Sequence, residues 1–168
     1  MKKILFIQHA SAFGGSAMSL LYTLQGIKKA EGDNVKLIVA LAKWTQELDD
    51  FYSNEGFEVV KNEWIDTYEH TQLVSYNLLN PLNIVKELKQ LVKLKKAKKH
   101  TIELINRVKP DIVHLNSVVL FGSAIALSKL GQPFVWHVRE PSVNGFLGIR
   151  RKILKNALAK LPGKCIFI

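Results

Sequence analysis

Short apolar runs alternate with longer segments of helical periodicity along the chain. The runs are nearly continuous in apolar character, and they occupy residues 4–7, 35–41, 57–60, 112–115, 134–138 and 165–168. Strands have this pattern when helices cover both faces of a parallel sheet. The sequence therefore predicts an α/β domain, with a doubly wound, mostly parallel, Rossmann-like sheet of about six strands and helices on both faces.

Three of the segments between the strands predict amphipathic helices. One follows the first strand, and the other two are strongly basic and cover residues 86–109 and 150–164. The residues expected to face the sheet are Leu88, Leu91 and Val92 in the first basic helix and Ile153, Leu154 and Leu158 in the second. Residues 62–81 show no clear period and are interpreted as a loop or partly ordered insertion.

Length and composition fit one folded domain. The chain has 168 residues, 48% of them hydrophobic, and five prolines, which argues against disorder. Its single cysteine, Cys165, excludes an internal disulfide framework and favours a reducing, cytoplasmic setting. The apolar run after Met1 is too short for a signal peptide. Since the chain stops within the sixth strand, we expect residues 1–168 to be a fragment of a longer protein.

The net charge of +10 is concentrated in two segments. Residues 83–109 contain nine Lys or Arg against two acidic residues, and residues 146–168 contain six basic residues and no acid. Such segments attract phosphate-rich partners, namely anionic lipid, nucleic acid or a phosphorylated substrate. A basic nucleic-acid-binding module is therefore one alternative. Aromatic residues do not interleave with the lysines, so nucleic acid is the weaker candidate.

A glycine turn follows the first strand. That strand ends at Gln8-His9, and Gly14-Gly15 leads into a helix at Ser16. Glycines let backbone N–H groups approach a ligand, and a helix amino terminus favours an anion. The alternative is a tight turn with Ser16 as the helix N-cap. The fingerprint G-x-G-x-x-G is absent, which disfavours a dinucleotide cofactor.

Polar residues also follow the fourth and fifth strands. Asn116 is a candidate substrate-binding residue, whereas His114 is interpreted as a core residue and Ser117 as a helix cap. His137, Arg139 and Glu140 come at the end of the fifth strand, where a histidine can transfer protons and an arginine can bind a phosphate or carboxylate. The alternative is an ion pair of Arg139 with Glu140 beside a partly buried histidine. No histidine, cysteine or carboxylate set has metal-ligand spacing.

Four segments together resemble glycosyltransferase family 4. They are the turn Gly14-Gly15-Ser16, the run Lys109-Pro110-Asp111-Ile112-Val113-His114, the turn Gly131-Gln132-Pro133, and the run Trp136-His137-Val138-Arg139-Glu140. The resemblance covers most of the chain and is weakest over residues 62–81.

The resemblance implies a two-domain enzyme of GT-B architecture. Its amino-terminal half, represented by residues 1–168, would bind a saccharide or lipid-linked acceptor. Its carboxyl-terminal half would bind the nucleotide-sugar donor, a co-substrate, and sugar transfer would retain the anomeric configuration without a metal or other cofactor. Gly14, Gly15 and Ser16 match the family's turn near the donor phosphates, and His137 matches a histidine beside the transferred sugar. The family's donor motif E-x7-E belongs to the carboxyl-terminal half, so residues 1–168 alone are expected to be inactive.

Two further expectations concern activity and location. A GT-B-like nucleotide-sugar epimerase is an alternative, although the run from Trp136 to Glu140 favours transfer. Members of the family that the chain resembles often use lipid-linked acceptors. Together with the two basic helices, this predicts that the protein works at the cytoplasmic face of a membrane and contacts its anionic surface. The alternative is that the lysines only form solvated helix faces.

Overall fold

The computed structural model describes residues 1–62, 64–65, 67, 81–138, 148–160 and 164–167. The strands are β1 Lys2–Gln8, β2 Val35–Leu41, β3 Glu58–Val60, β4 Ile112–Leu115, β5 Phe134–Val138 and β6 Lys164–Phe167. The α-helices are α1 Gly15–Glu31, α2 Gln46–Asn54, α3 Pro81–Val108, α4 Phe121–Leu130 and α5 Ile149–Lys160. Elements of both kinds alternate along the chain, as the apolar pattern predicted.

The six strands form one parallel sheet. Their order is β3-β2-β1-β4-β5-β6, and every neighbouring pair is parallel. Phe6 at the centre pairs with Val39 on one side and with His114 on the other. The strand order reverses between β1 and β4, so the topological switch point lies there. In open α/β sheets, ligands bind in the crevice at the carboxyl ends of the strands at this point.

Helices cover both faces of the sheet, which confirms the predicted fold class. On one face, α1 and α2 pack on β1 and β2, with the buried residues Phe6, Ala17, Leu20, Leu24, Val39, Leu48 and Tyr52. On the other face, α3, α4 and α5 pack on β1, β4 and β5, with Leu5, Ala97, Leu104, Val113, Phe121, Trp136 and Leu154. Since both faces of the strands are buried, their sequences are nearly continuous apolar runs.

The predicted orientation of helix α3 is wrong. Leu88, Leu91 and Val92 do not face the sheet but are exposed to 56%, 40% and 55%. Apart from Gln90, the described residues of α3 that are buried lie later in the helix, and they are Ala97, Thr101, Leu104, Ile105 and Val108. In the second basic helix, by contrast, Ile153, Leu154 and Leu158 do pack on the core as predicted.

The first half of α3 is exposed because this helix is longer than the strands of the sheet. Helix α3 has 28 residues, about 42 Å at the usual rise. The strands have at most seven residues, or roughly 23 Å. Because α3 ends at Val108, next to the amino ends of the strands, its first half extends past their carboxyl ends. No sheet is available there to cover its apolar side chains.

Candidate functional site

The glycine turn joins the carboxyl end of β1 to helix α1 at the switch point. Gly14 is the helix N-cap, with φ 171° and ψ −172°, and its carbonyl accepts from the N–H groups of Ala17 and Met18 at 3.0 and 3.1 Å. The predicted N-cap, Ser16, lies instead inside the helix. No side chain of the described residues caps the helix, and no acid lies in its first turn. The positive end of the helix dipole is therefore left without a counter-charge from the helix itself.

Neither glycine of the turn is required by the chain's own structure. The backbone of Gly14 is extended, a conformation that any residue adopts. A Cβ atom built on Gly14 or Gly15 meets nothing within 4 Å among the described residues. The N–H groups of Gly15 and Ser16 donate to no acceptor among the residues that the structure describes. The turn thus presents open space and backbone donors, as an anion-binding helix terminus does.

A buried glutamine, which the sequence analysis did not single out, fixes this turn. Gln8 is fully buried at the end of β1. Its Oε1 accepts from Asn116 Nδ2 at 2.9 Å and from the N–H of His9 at 3.0 Å. Its Nε2 approaches the hydroxyls of Ser16 and Tyr52, both at 3.4 Å. The only signal in the sequence that could have pointed to Gln8 is its position as a polar residue at the end of an apolar strand.

Asn116 lies across the switch point from the turn. It is fully buried, and its Nδ2 also donates to the carbonyl of Ser16 at 3.3 Å. Its Oδ1 accepts no hydrogen bond from the described residues. A buried acceptor without a donor is costly and is usually satisfied by a ligand or a water. The structure therefore brings Asn116 and the glycine turn together at the shared carboxyl edge of β1 and β4.

Tyr52 on α2 forms a hydrogen bond with the first turn of α1. It is fully buried, and its hydroxyl donates to the carbonyl of Ala17 at 3.2 Å. Burial raises the pKa of Tyr52 to about 12, although the hydrogen bond from Gln8 acts in the opposite direction. The phenol consequently stays protonated and keeps its role as a donor. No local pattern predicts this contact, which joins residues 35 positions apart.

His137 and His114 lie side by side on the same face of the sheet as the turn. His137 on β5 is 9% exposed, and its ring centroid is 5.5 Å from that of His114. His114 also packs against Phe6, with centroids 5.1 Å apart. Since residues two apart on a strand share a face, His114 lies on the face of Asn116. His114 is thus buried, as expected for a core histidine.

Three other predicted residues have different outcomes. Ser117 caps the short 3-10 helix Val118–Leu120, where its hydroxyl accepts from the N–H of Val119 at 3.2 Å, which agrees with the predicted role of a cap. Arg139 and Glu140 lie outside the described residues. Among the residues that the structure does describe, no group of three His, Cys, Asp or Glu side chains is placed to hold a metal ion.

The segments around Pro110 and Gln132 lie at the opposite edge of the sheet from the candidate site. Gln132 Nε2 donates to the carbonyls of Pro110 and Asp111 at 3.0 and 3.2 Å. The carboxylate of Asp111 accepts from the N–H of Lys3 at 2.6 Å. These contacts join the amino ends of β1, β4 and β5, so these two family-like segments have a structural role.

A cavity of about 540 Å³ also lies at that opposite edge, next to Met1, Lys28 and Val35. Ligands in parallel α/β sheets bind at the carboxyl edge. The candidate site is therefore the turn, Asn116 and His137, not this cavity.

Solved glycosyltransferases share this architecture. SsfS6 of Streptomyces sp. SF2575 aligns with a TM-score of 0.59 at 15% identity, over 100% of this chain and 50% of its own. Spinosyn rhamnosyltransferase SpnG, solved with thymidine diphosphate, aligns with a TM-score of 0.57 at 12% identity, over 99% of this chain and 45% of its own. MurG of Acinetobacter baumannii aligns with a TM-score of 0.55 at 14% identity, over 94% of this chain and 39% of its own. No protein-family model matches the chain, and no curated protein matches its sequence.

These identities establish the fold alone. The chain spans half or less of the length of the three glycosyltransferases. It therefore has the Rossmann-like fold found in GT-B glycosyltransferases and corresponds in extent to about one half of such a protein.

Proposed function

We propose that this chain is the acceptor-binding half of a retaining glycosyltransferase. The enzyme moves a sugar from a nucleotide-sugar to a saccharide or lipid-linked acceptor. A second domain, outside this sequence, binds most of the donor. Family 4 is the group that the sequence segments resemble, and retention of configuration, without a metal or further cofactor, is that family's chemistry.

The open glycine turn is the observation that carries the proposal. Neither backbone strain nor packing against the described residues explains Gly14 and Gly15, and the close approach of a ligand is a physical reason for two glycines. The free N–H groups and the positive helix end suit a donor phosphate. The unsatisfied Oδ1 of Asn116 suits a hydroxyl donor of a sugar. His137, on the same face, is our candidate for the residue beside the transferred sugar, and Arg139 and Glu140 remain predicted substrate contacts.

The division of labour between two domains gives a direct test. We expect the 168-residue chain alone to neither hydrolyse nor transfer sugar from a nucleotide-sugar, whereas a protein that also carries the donor-binding domain does both. The measurement is release of nucleoside diphosphate together with chromatography of the sugar product. Robust turnover by the 168-residue chain would contradict the proposal. Conversion of the donor to an epimer without transfer would favour the epimerase alternative.

We further propose that the protein acts at the cytoplasmic face of a membrane. No helix in the described ranges is long and apolar enough to cross a bilayer. Both basic helices, α3 and α5, pack on the same face of the sheet. Burial lowers the pKa of Lys98, and the neighbouring charges of Lys129 and Lys95 act in the same direction. Exposed apolar side chains, including Leu88 and Val92, lie on the same helix α3 as Lys95 and Lys98. Such a surface suits anionic lipid.

Replacing Lys95 and Lys96 with Gln should lower the affinity for anionic vesicles, measured by sedimentation, about 30-fold. Each basic residue near an anionic surface contributes about 1 kcal/mol, and about 1.4 kcal/mol corresponds to tenfold. The matched control replaces Lys2 and Lys29, exposed residues outside the two basic helices, and should bind as the unaltered chain does. Equal binding to neutral and anionic vesicles, or no binding at low salt, would refute the electrostatic attachment.

A further inference from the structure

A second cleft lies beside the candidate site at the carboxyl ends of β2 and β3. Its volume is about 340 Å³, within the range of pockets that bind small molecules. The lining residues are Ser11, Lys43, Trp44, Thr45, Asn62 and Trp64. Ser11 belongs to the segment that joins β1 to the glycine turn. The cleft therefore borders the site at which transfer is proposed.

Tertiary contacts hold the far wall of the cleft in place. Ile65 is fully buried, and its N–H donates to the carbonyl of Ala42 at 2.9 Å. His100 Nδ1 donates to the carbonyl of Trp64 at 2.6 Å, and the guanidinium of Arg107 donates to that of Lys61 at 2.6 Å. The backbone that carries Trp64 is thus tied to β2 and to α3 before any ligand arrives. Such preorganisation lowers the entropic cost of binding.

Two tryptophans and two lysines are interleaved at this cleft. Lys43 Nζ lies 4.5 Å from the ring centroid of Trp64, and Lys61 Nζ lies 4.3 Å from that of Trp44. Trp44 Nε1 donates to Asp49 at 2.8 Å, which fixes the orientation of its ring. Trp64 is 55% exposed. Neither lysine forms an ion pair with a carboxylate of the described residues.

This arrangement suits a sugar ring that carries a negative charge. The face of an indole is electron-rich, so it attracts the weakly positive C–H groups on the apolar face of a pyranose. Contacts between an exposed ammonium and an aromatic ring are weak. A phosphate or carboxylate that accepts a charge-assisted hydrogen bond from Lys43 or Lys61 can therefore draw the ammonium away and free the ring face. Thr45, Asn62 and the other polar lining groups can then bond the hydroxyls.

We propose that the Trp44–Trp64 cleft binds the acceptor as a saccharide ring bearing a phosphate or a carboxylate. The assignment rests on the proposed function, because it places an acceptor next to the transfer site. It names the acceptor's chemical class, which the fold alone does not.

The three tryptophans of the chain allow a direct test by NMR. Titration of the 168-residue chain with glucose 1-phosphate, glucuronic acid and glucose should shift the indole N–H signals of Trp44 and Trp64. The signal of Trp136 should stay in place, because that indole is fully buried and donates to the carbonyl of Ser117 at 2.8 Å. The charged sugars should bind at least about tenfold more tightly than glucose. Comparison of the two charged sugars distinguishes phosphate from carboxylate as the favoured group.

Variants locate the binding within the cleft. Trp64→Ala should lower the affinity for the charged sugars about tenfold, since it removes one stacking face. The double variant Lys43→Met, Lys61→Met should bind glucose and glucose 1-phosphate alike. The matched control is Tyr22→Ala, which removes an exposed aromatic from α1 and should change nothing. An unshifted Trp136 signal verifies that each variant is folded.

Three outcomes overturn the inference. They are the absence of shifts at Trp44 and Trp64 with all three sugars, equal affinity for glucose and the charged sugars, and tighter binding of oligodeoxythymidylate than of glucose 1-phosphate, which would indicate nucleic acid. None of these measurements depends on catalysis. Binding here with no transfer by the two-domain protein would support the charged-saccharide site but refute the proposed function, and with it the role of the bound sugar as acceptor. Transfer by the two-domain protein without binding in this cleft would refute the inference and leave the proposed function standing.

Discussion

Replacing Gly15 with Val is expected to lower turnover by more than about 10²-fold in a protein that carries both domains, while the chain remains folded. The Cβ of residue 15 meets no described atom, so the fold has room for the side chain. Valine is also no worse than glycine in a helix. The added methyl groups would instead occupy the space in which we place the donor phosphate, and loss of an electrostatic contact of this kind costs on the order of 10²- to 10³-fold. The measurement is kcat/KM for transfer, with the melting temperature of each variant.

Gly26 offers a matched control on the same helix. It is exposed, and a Cβ atom there also meets nothing within 4 Å among the described residues. Gly26→Val introduces the same side chain into α1, far from the switch point, and should leave both turnover and melting temperature near those of the unaltered protein. If Gly15→Val keeps full activity, then the turn is only a strand-to-helix connection and the donor binds elsewhere.

His137→Ala should lower turnover on the order of 10²-fold. His137 lies on the same sheet face as Asn116, near the carboxyl end of β5. A histidine there can hydrogen-bond the transferred sugar, and one such contact that strengthens in the transition state has an effect of this size. Truncation of a buried ring also leaves a cavity, so the melting temperature should fall. The kinetics must therefore be measured well below it.

His114 separates the two effects of that substitution. Its ring is also buried and lies 5.5 Å from that of His137, but it packs against Phe6 in the core. His114→Ala should lower the melting temperature in the same way and leave kcat close to that of the unaltered protein. Equal losses of kcat in both variants, or an unchanged kcat in folded His137→Ala, would remove His137 from the reacting centre.

The sequence by itself determined the fold class and the edge of the sheet at which the candidate site lies. Strands β2, β4 and β5 have the predicted bounds, because strands buried on both faces need continuous apolar runs and this requirement is local. The sequence also placed Gly14 and Asn116 at the carboxyl edge, since the carboxyl ends of parallel strands meet at one edge. These inferences use only the period of the side chains and the direction of the chain. That β1 and β4 are neighbours came from the structure.

Only the tertiary structure decided which side chains meet. Gln8 contacts Asn116 across 108 positions of sequence, and no local pattern encodes that separation. The cleft between Trp44 and Trp64 likewise depends on contacts of residues 61–65 with β2 and α3. The predicted face of α3 was wrong for a related reason. Periodicity identifies an apolar stripe, but burial of the stripe depends on whether another element reaches it, and the sheet ends before Leu88.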